Sequence, residues 1–121
     1  RGLFKMQSET IRKIAEQGPA IIVGRCSDYI LRDMENTLNV FLTSPLEVRA
    51  ARIAERSGVS LEEAEKIAEE KDRKRSDYYN YYTFGNWGHA STYDLCLDSS
   101  LLGIEGTADF IIDFARKAGK L

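Results

Sequence analysis

Two short stretches, Ala20-Ile-Ile-Val-Gly-Arg25 and Asp94-Leu-Cys-Leu-Asp-Ser-Ser100, decide the fold. Each is a brief apolar run, ended abruptly by glycine or by Asp-Ser, with no alternating polar residue to mark a wet face. That is the text of a parallel strand covered on both sides. Asn39-Val-Phe-Leu-Thr43 is a third run of the same kind, so three buried strands are expected, at 20–23, 39–43 and 93–98.

Helical patterns fill the intervals. Leu3, Met6, Gln7, Thr10, Ile11, Ile14 and Ala15 recur at helical spacing and meet Gly18-Pro19, a strong stop. Residues 26–32 read as a short helix, followed by a polar loop at Asp33, Glu35 and Asn36. Ser44-Pro45-Leu46-Glu47 supplies an N-cap, a proline at the first helical position and a capping-box glutamate, so a helix runs from there to about Ser57, stopped by Gly58. Ser60-Leu-Glu-Glu63 opens a second helix, through Lys71 and on toward Tyr82, ahead of a glycine-rich, irregular stretch at 83–92. A last helix covers about 104–118.

Strands alternating with helices predict a parallel α/β sheet with right-handed crossovers. Ligands of such sheets bind beyond the carboxyl ends of the strands, which singles out Gly24-Arg25, Thr43-Ser44 and Asp98-Ser99. With 121 residues, 43% of them hydrophobic, the chain holds one domain or most of one. It opens on Arg1 inside a helical pattern with no signal segment ahead of it, and is expected to be a fragment or a processed chain. A net charge of -2 argues against bulk electrostatic partners such as duplex DNA or an anionic membrane. No apolar run approaches the roughly 20 residues that span a bilayer. Cys26 and Cys96 stand singly, without metal-type spacing, and are expected to be small buried thiols in a reducing cytoplasm.

Several residues are candidates for chemistry. Arg25 leaves a strand end through a glycine, where its fork of donors suits a phosphate or carboxylate, or a salt bridge to the 33–36 loop. Asp28, one turn on, either contacts a sugar or base edge or orients Arg25. Arg49, Arg52 and Arg56 lie on one helix, with Arg52 and Arg56 facing one way and Glu47 and Glu55 as ordinary partners. Lys71-Asp-Arg-Lys-Arg75 packs four cations into five residues and is followed by Tyr78, Tyr79, Tyr81 and Tyr82. Three readings of that stretch stand: a lid closing over phosphates, a single-strand nucleic-acid platform, or a solvated face whose tyrosines pack on the domain. His89, the sole histidine, has no catalytic partner at a telling spacing and is read as structuring the loop around Trp87. Asp98, with Ser99 and Ser100, is expected to cap donors of its own turn, with nucleotide contact as the alternative.

In order and spacing, Ile21-Ile-Val-Gly-Arg25, the strand and Ser-Pro helix at 39–56, the charged 69–75 run, and Leu97-Asp-Ser-Ser100 with Ile104-Glu105 resemble the cytidylate kinases. The Tyr-Tyr pair, Trp-Gly and Tyr-Asp-Leu segments bring the chain nearer to the cytidylate kinase-like proteins, over residues 3–115. The resemblance implies a P-loop nucleoside-triphosphatase fold, a three-layer α/β sandwich, of which residues 1–121 would be the C-terminal two thirds, with a lid-like segment at about 58–92. It implies transfer of the γ-phosphoryl of ATP, with Mg²⁺, to a cytidylate-like nucleoside monophosphate. By the same resemblance Arg25, Asp28 and Lys71 would bind the acceptor, Arg52 would stack on adenine, Arg56 would face the ATP phosphates, and Arg73 and Arg75 would be the catalytic lid cations. No metal ligand is assigned.

The sequence also departs from that family. Cys26 stands where cytidylate kinases carry an aspartate, and Val23 where they carry an acidic residue. No Gly-x-x-x-x-Gly-Lys-Ser/Thr phosphate loop occurs, so the chain alone is expected to be inactive. In the family the strand feeding that loop lies between those ending at Gly24 and starting at Asn39. Strands are about 4.8 Å apart, so its absence would leave a slot of roughly 10 Å, to be filled by a preceding segment, by re-pairing, or by a second chain. The rival reading is a non-catalytic domain that binds nucleic acid or protein through 71–82.

Overall fold

Val-Phe-Leu-Thr and Leu-Cys-Leu-Asp do become strands, and they find each other. In the computed structural model, which describes residues 2–121, β1 (Val40–Thr43) pairs in parallel with β2 (Leu95–Asp98), Val40 opposite Leu95 and Thr43 opposite Asp98. The crossover between them is a helical hairpin of α3 (Leu46–Ser57) and α4 (Leu61–Thr83). The carboxyl ends of the two strands are laced together, since Ser99 N donates to Thr43 O at 2.9 Å. Ahead of the sheet come α1 (Gly2–Gln17) and the four-residue α2 (Ser27–Ile30); after it comes α5 (Gly103–Lys117).

Apolar packing is divided between two small cores that α4 shares. Its N-terminal half lies along α3, where Ala50, Ala64, Ala68 and Ile53 close the gap between the helices and Leu46, Val59 and Ile67 flank them. Alanines at the seam let two backbones approach closely. Its C-terminal half turns Tyr79 into a second cluster with Ile11 of α1 and Cys26 and Ile30 around α2. Aromatic rings extend that contact: Phe4 stacks on Tyr82 with centroids 4.2 Å apart, and Tyr78 donates a hydrogen bond to Gln7 Oε1 at 3.1 Å.

Three sequence expectations are corrected. Residues 20–23 form no strand: the segment pairs with nothing among the described residues, and Ile21 and Val23 are 96% and 86% exposed. A strand exists only through a partner, and this one has none beside it. Re-pairing is thereby removed from the three ways of filling the slot. Ser44 does not cap α3; Pro45 holds the N-cap position with ψ 148°, its carbonyl accepts from Val48 and Arg49, and the buried Ser44 hydroxyl has no partner among the described residues. Cys96, expected to be buried, is exposed on β2. Ser60, by contrast, caps α4 as its sequence predicts, accepting from Glu63 N at 3.1 Å.

Candidate functional site

The basic residues of α3 and α4 meet across the hairpin. Arg49, Arg52, Ile53 and Arg56 recur at three- and four-residue spacing on α3, and Ala68, Lys71 and Arg75 do the same on α4, so the two stripes face one another. Together they line a concavity of about 220 Å³, with Ile53 and Ala68 as its apolar members. Five cations around so small a volume repel one another, and a single acid inside the run relieves part of that. Asp72 takes Arg49 Nη1 on Oδ2 at 2.5 Å and Arg75 Nη1 on Oδ1 at 3.2 Å. Arg49 also donates through Nε to Ser44 O at 3.0 Å, which ties α3 to the end of β1. Arg52, Arg56 and Lys71 have no ion-pair partner among the described residues, which leaves their charge available to a ligand.

A second constellation surrounds the turn after residue 23. Gly24, Arg25 and Cys26 all have φ in the left-handed region, at 70°, 59° and 59°. Only the glycine adopts that conformation at little cost, so the turn stores strain at the two residues that follow. Cys26 is buried here, and burial, seconded by the Asp28 charge, pushes its thiol up to about 11. Asp28 Oδ2 accepts from the Tyr79 hydroxyl at 2.7 Å. Burial and that bond to Asp28 hold the Tyr79 phenol well above its ordinary range, and burial raises Tyr93 as well. Arg25 is exposed at the rim. Lys71, Arg75 and Tyr79 fall at i, i+4 and i+8 on α4, so one stripe of that helix serves both constellations.

The candidate residues therefore divide. Arg52, Arg56, Lys71 and Arg75 come together in the hairpin concavity; Arg25 and Asp28 belong to the second constellation; Arg73 is exposed on α4 and lines neither. Asp98 closes its own turn, accepting from Ser100 N at 2.9 Å and Ser100 Oγ at 2.6 Å, and these bonds lower its carboxyl below the usual range. Asp94 Oδ2 accepts from Asn39 N at 2.7 Å and His89 is exposed. Tyr78, Tyr79 and Tyr82 pack inward, leaving Tyr81 as the exposed ring of the four. Sequence reasoning passed over Asp72, although an acid in the middle of four cations was the available signal.

With this geometry in view, comparison with known proteins places the chain. The family description "Cytidylate kinase-like family" matches residues 1–101. The chain belongs to the cytidylate kinase-like family. It is 37% identical over 93 residues to a cytidylate kinase of Pyrococcus horikoshii, covering 76% of this chain and 47% of that one. Against a cytidylate kinase of Methanopyrus kandleri the identity is 33% over 97 residues, covering 74% and 50%. Among solved structures, the crystal structure of an uncharacterized protein from Eubacterium ventriosum superposes with a TM-score of 0.84 at 30% identity, over 94% of this chain and 65% of that chain. The chain spans about half the length of the curated relatives it matches.

Proposed function

We propose that the protein is an ATP-dependent nucleoside monophosphate kinase with a cytidylate-like acceptor, built on a P-loop sandwich whose phosphate loop and first strand lie outside these 121 residues and fill the slot beside β1. The observation that carries this reading is the five-cation concavity between α3 and α4. Concentrated, partly unpaired positive charge over an apolar base is what a nucleoside polyphosphate requires. We assign ATP to it, with Arg52 on the adenine and Arg56, Arg75 and Lys71 at the phosphates, since Lys71 stands in this concavity and not beside Arg25 and Asp28 as the resemblance implied; bound, ATP would supply the γ-phosphoryl group. These side chains hold and neutralise the phosphates, which is most of what phosphoryl transfer asks of a protein. Arg25 and Asp28 take the acceptor, and Arg73 reaches the phosphates only when the 58–92 lid moves. Mg²⁺, implied by the same kinase reading, would supply further neutralising charge with ATP bound, and no residue is assigned to hold it.

Among the described residues no helix is long and apolar enough to cross a membrane, and the proposed enzyme acts on nucleotides in the cytoplasm. A single-strand platform at 71–82 is disfavoured because three of its four tyrosines, Tyr78, Tyr79 and Tyr82, are used in packing. The test is to assay the full-length protein with ATP against a panel of nucleoside monophosphates. CMP or dCMP is expected as the preferred acceptor, and Arg25→Ala is expected to raise the acceptor KM by about tenfold or more while ATP binding stays intact. Phosphorylation of no monophosphate, or equal loss of both affinities, contradicts the proposal.

A further inference from the structure

Asp28 is half-buried, carries no ion pair, and has the Tyr79 hydroxyl as its one side-chain hydrogen-bond partner among the described residues. It rides on a helix of four residues that hangs from three successive left-handed residues, a segment with little of its own to fix it. Tyr79 is the opposite kind of residue. It is buried near the C-terminal end of a 23-residue helix, its carbonyl accepts from Thr83 Oγ1 at 2.7 Å, and its ring lies so close to Gly85 that a β-carbon there would sit 3.2 Å from Cε2. The phenol oxygen is thus a fixed point, and the carboxylate it holds belongs to the Arg25 turn. Oδ1 of Asp28 is left open as an acceptor for a hydroxyl or amino donor.

We infer that Tyr79 is a positioning residue: its hydroxyl fixes the Asp28 carboxylate in the Arg25 turn and so sets the affinity for the nucleotide that accepts the phosphoryl group, not for the phosphate donor. The inference rests on the kinase reading for its substrate, though the positioning itself does not. Four residues separate Tyr79 from Arg75, and the contact gives the cation-bearing helix a direct hold on the acceptor turn. An Asp28 that drifted would enlarge the set of acceptor poses without touching the concavity between α3 and α4.

Tyr79→Phe in the full-length protein removes the donor and keeps the ring. The acceptor KM is expected to rise about tenfold, the loss of one hydrogen bond to a charged group, with kcat and the ATP KM within about twofold of the parent. Adding Asp28→Asn to Tyr79→Phe should cost less than it does in the parent background, because the two act through one contact. An unchanged acceptor KM, or a parallel loss for both nucleotides, overturns the inference. Amide hydrogen exchange separates its failure from that of the kinase reading: should the parent phosphorylate nothing, residues 24–31 must still exchange faster in Tyr79→Phe, and unchanged exchange there overturns the positioning role.

Discussion

Phe84 ends α4 in the left-handed conformation normally left to glycine, with φ 58° and a ring that is 90% exposed. A side chain in that conformation costs about 1–2 kcal/mol, and an exposed ring recovers almost none of it through packing. Phe84→Gly keeps the cap bond from its own N–H to Asn80 O and removes the strain. After subtracting the larger unfolded-state entropy of glycine, a gain of about 1 kcal/mol is expected in urea unfolding. A lower midpoint would mean that the ring makes a contact in solution that this geometry lacks. The two serine caps show what single residues disclose. Ser60 was readable because the backbone before Leu61 is extended, at φ -68° and ψ 162°, and brings its oxygen onto Glu63 N. Ser44 has the same chemistry and the same spacing to a glutamate, yet the helix starts one residue later than the motif implies, and its hydroxyl is stranded. Residue type states the capacity to cap; the backbone path decides its use.

Between elements, the α3 and α4 seam is closed by residues too small to be noticed in a periodicity plot. Ala50 and Ala64 are completely buried. Ala64→Leu forces extra carbons into a seam with no room for them, so a loss of about 1–3 kcal/mol is expected in thermal or urea unfolding. A neutral result would mean that the helices separate freely. The helices themselves were legible from caps, glycine stops and period: α1 ends before Gly18-Pro19, α3 ends at Gly58, and α4 begins after Ser60. The 20–23 segment was not, because Ile-Ile-Val records a liking for burial and a strand besides needs a neighbour, which no local pattern contains. The hairpin concavity was half legible. Arg52, Arg56, Lys71 and Arg75 could be named from spacing, but the Asp72 bridge to Arg49 joins residues 23 apart and appears only once the helices fold against each other.

For the molecule as a whole, the division into two small cores leaves much apolar surface uncovered. Ile21, Val23, Leu101 and Ile104 are all largely exposed, and α5 makes only thin contact with other elements among the described residues. Apolar side chains left open to this extent favour association in water. Sedimentation of the 121-residue chain at micromolar concentration is expected to show species larger than a monomer, reduced by Ile21→Asp with Val23→Asp; a clean monomer in the parent chain would contradict this. The overall α/β order was legible, and so was a gap in the sheet beside β1; that residues 20–23 stand outside any sheet with Ile21 and Val23 exposed was not, since their sequence presumed a sheet broader than the β1 and β2 pair. One unbroken helix, finally, carries cations near its middle and the Tyr79 hydroxyl further along. At 1.5 Å per residue α4 is about 35 Å long, and a tilt of about 10° around its centre moves its ends about 3 Å in opposite directions. As one rigid rod it would act as a see-saw: a swing that carries its N-terminal half toward α3 would move Tyr79 the opposite way, and with it the hydrogen bond to Asp28.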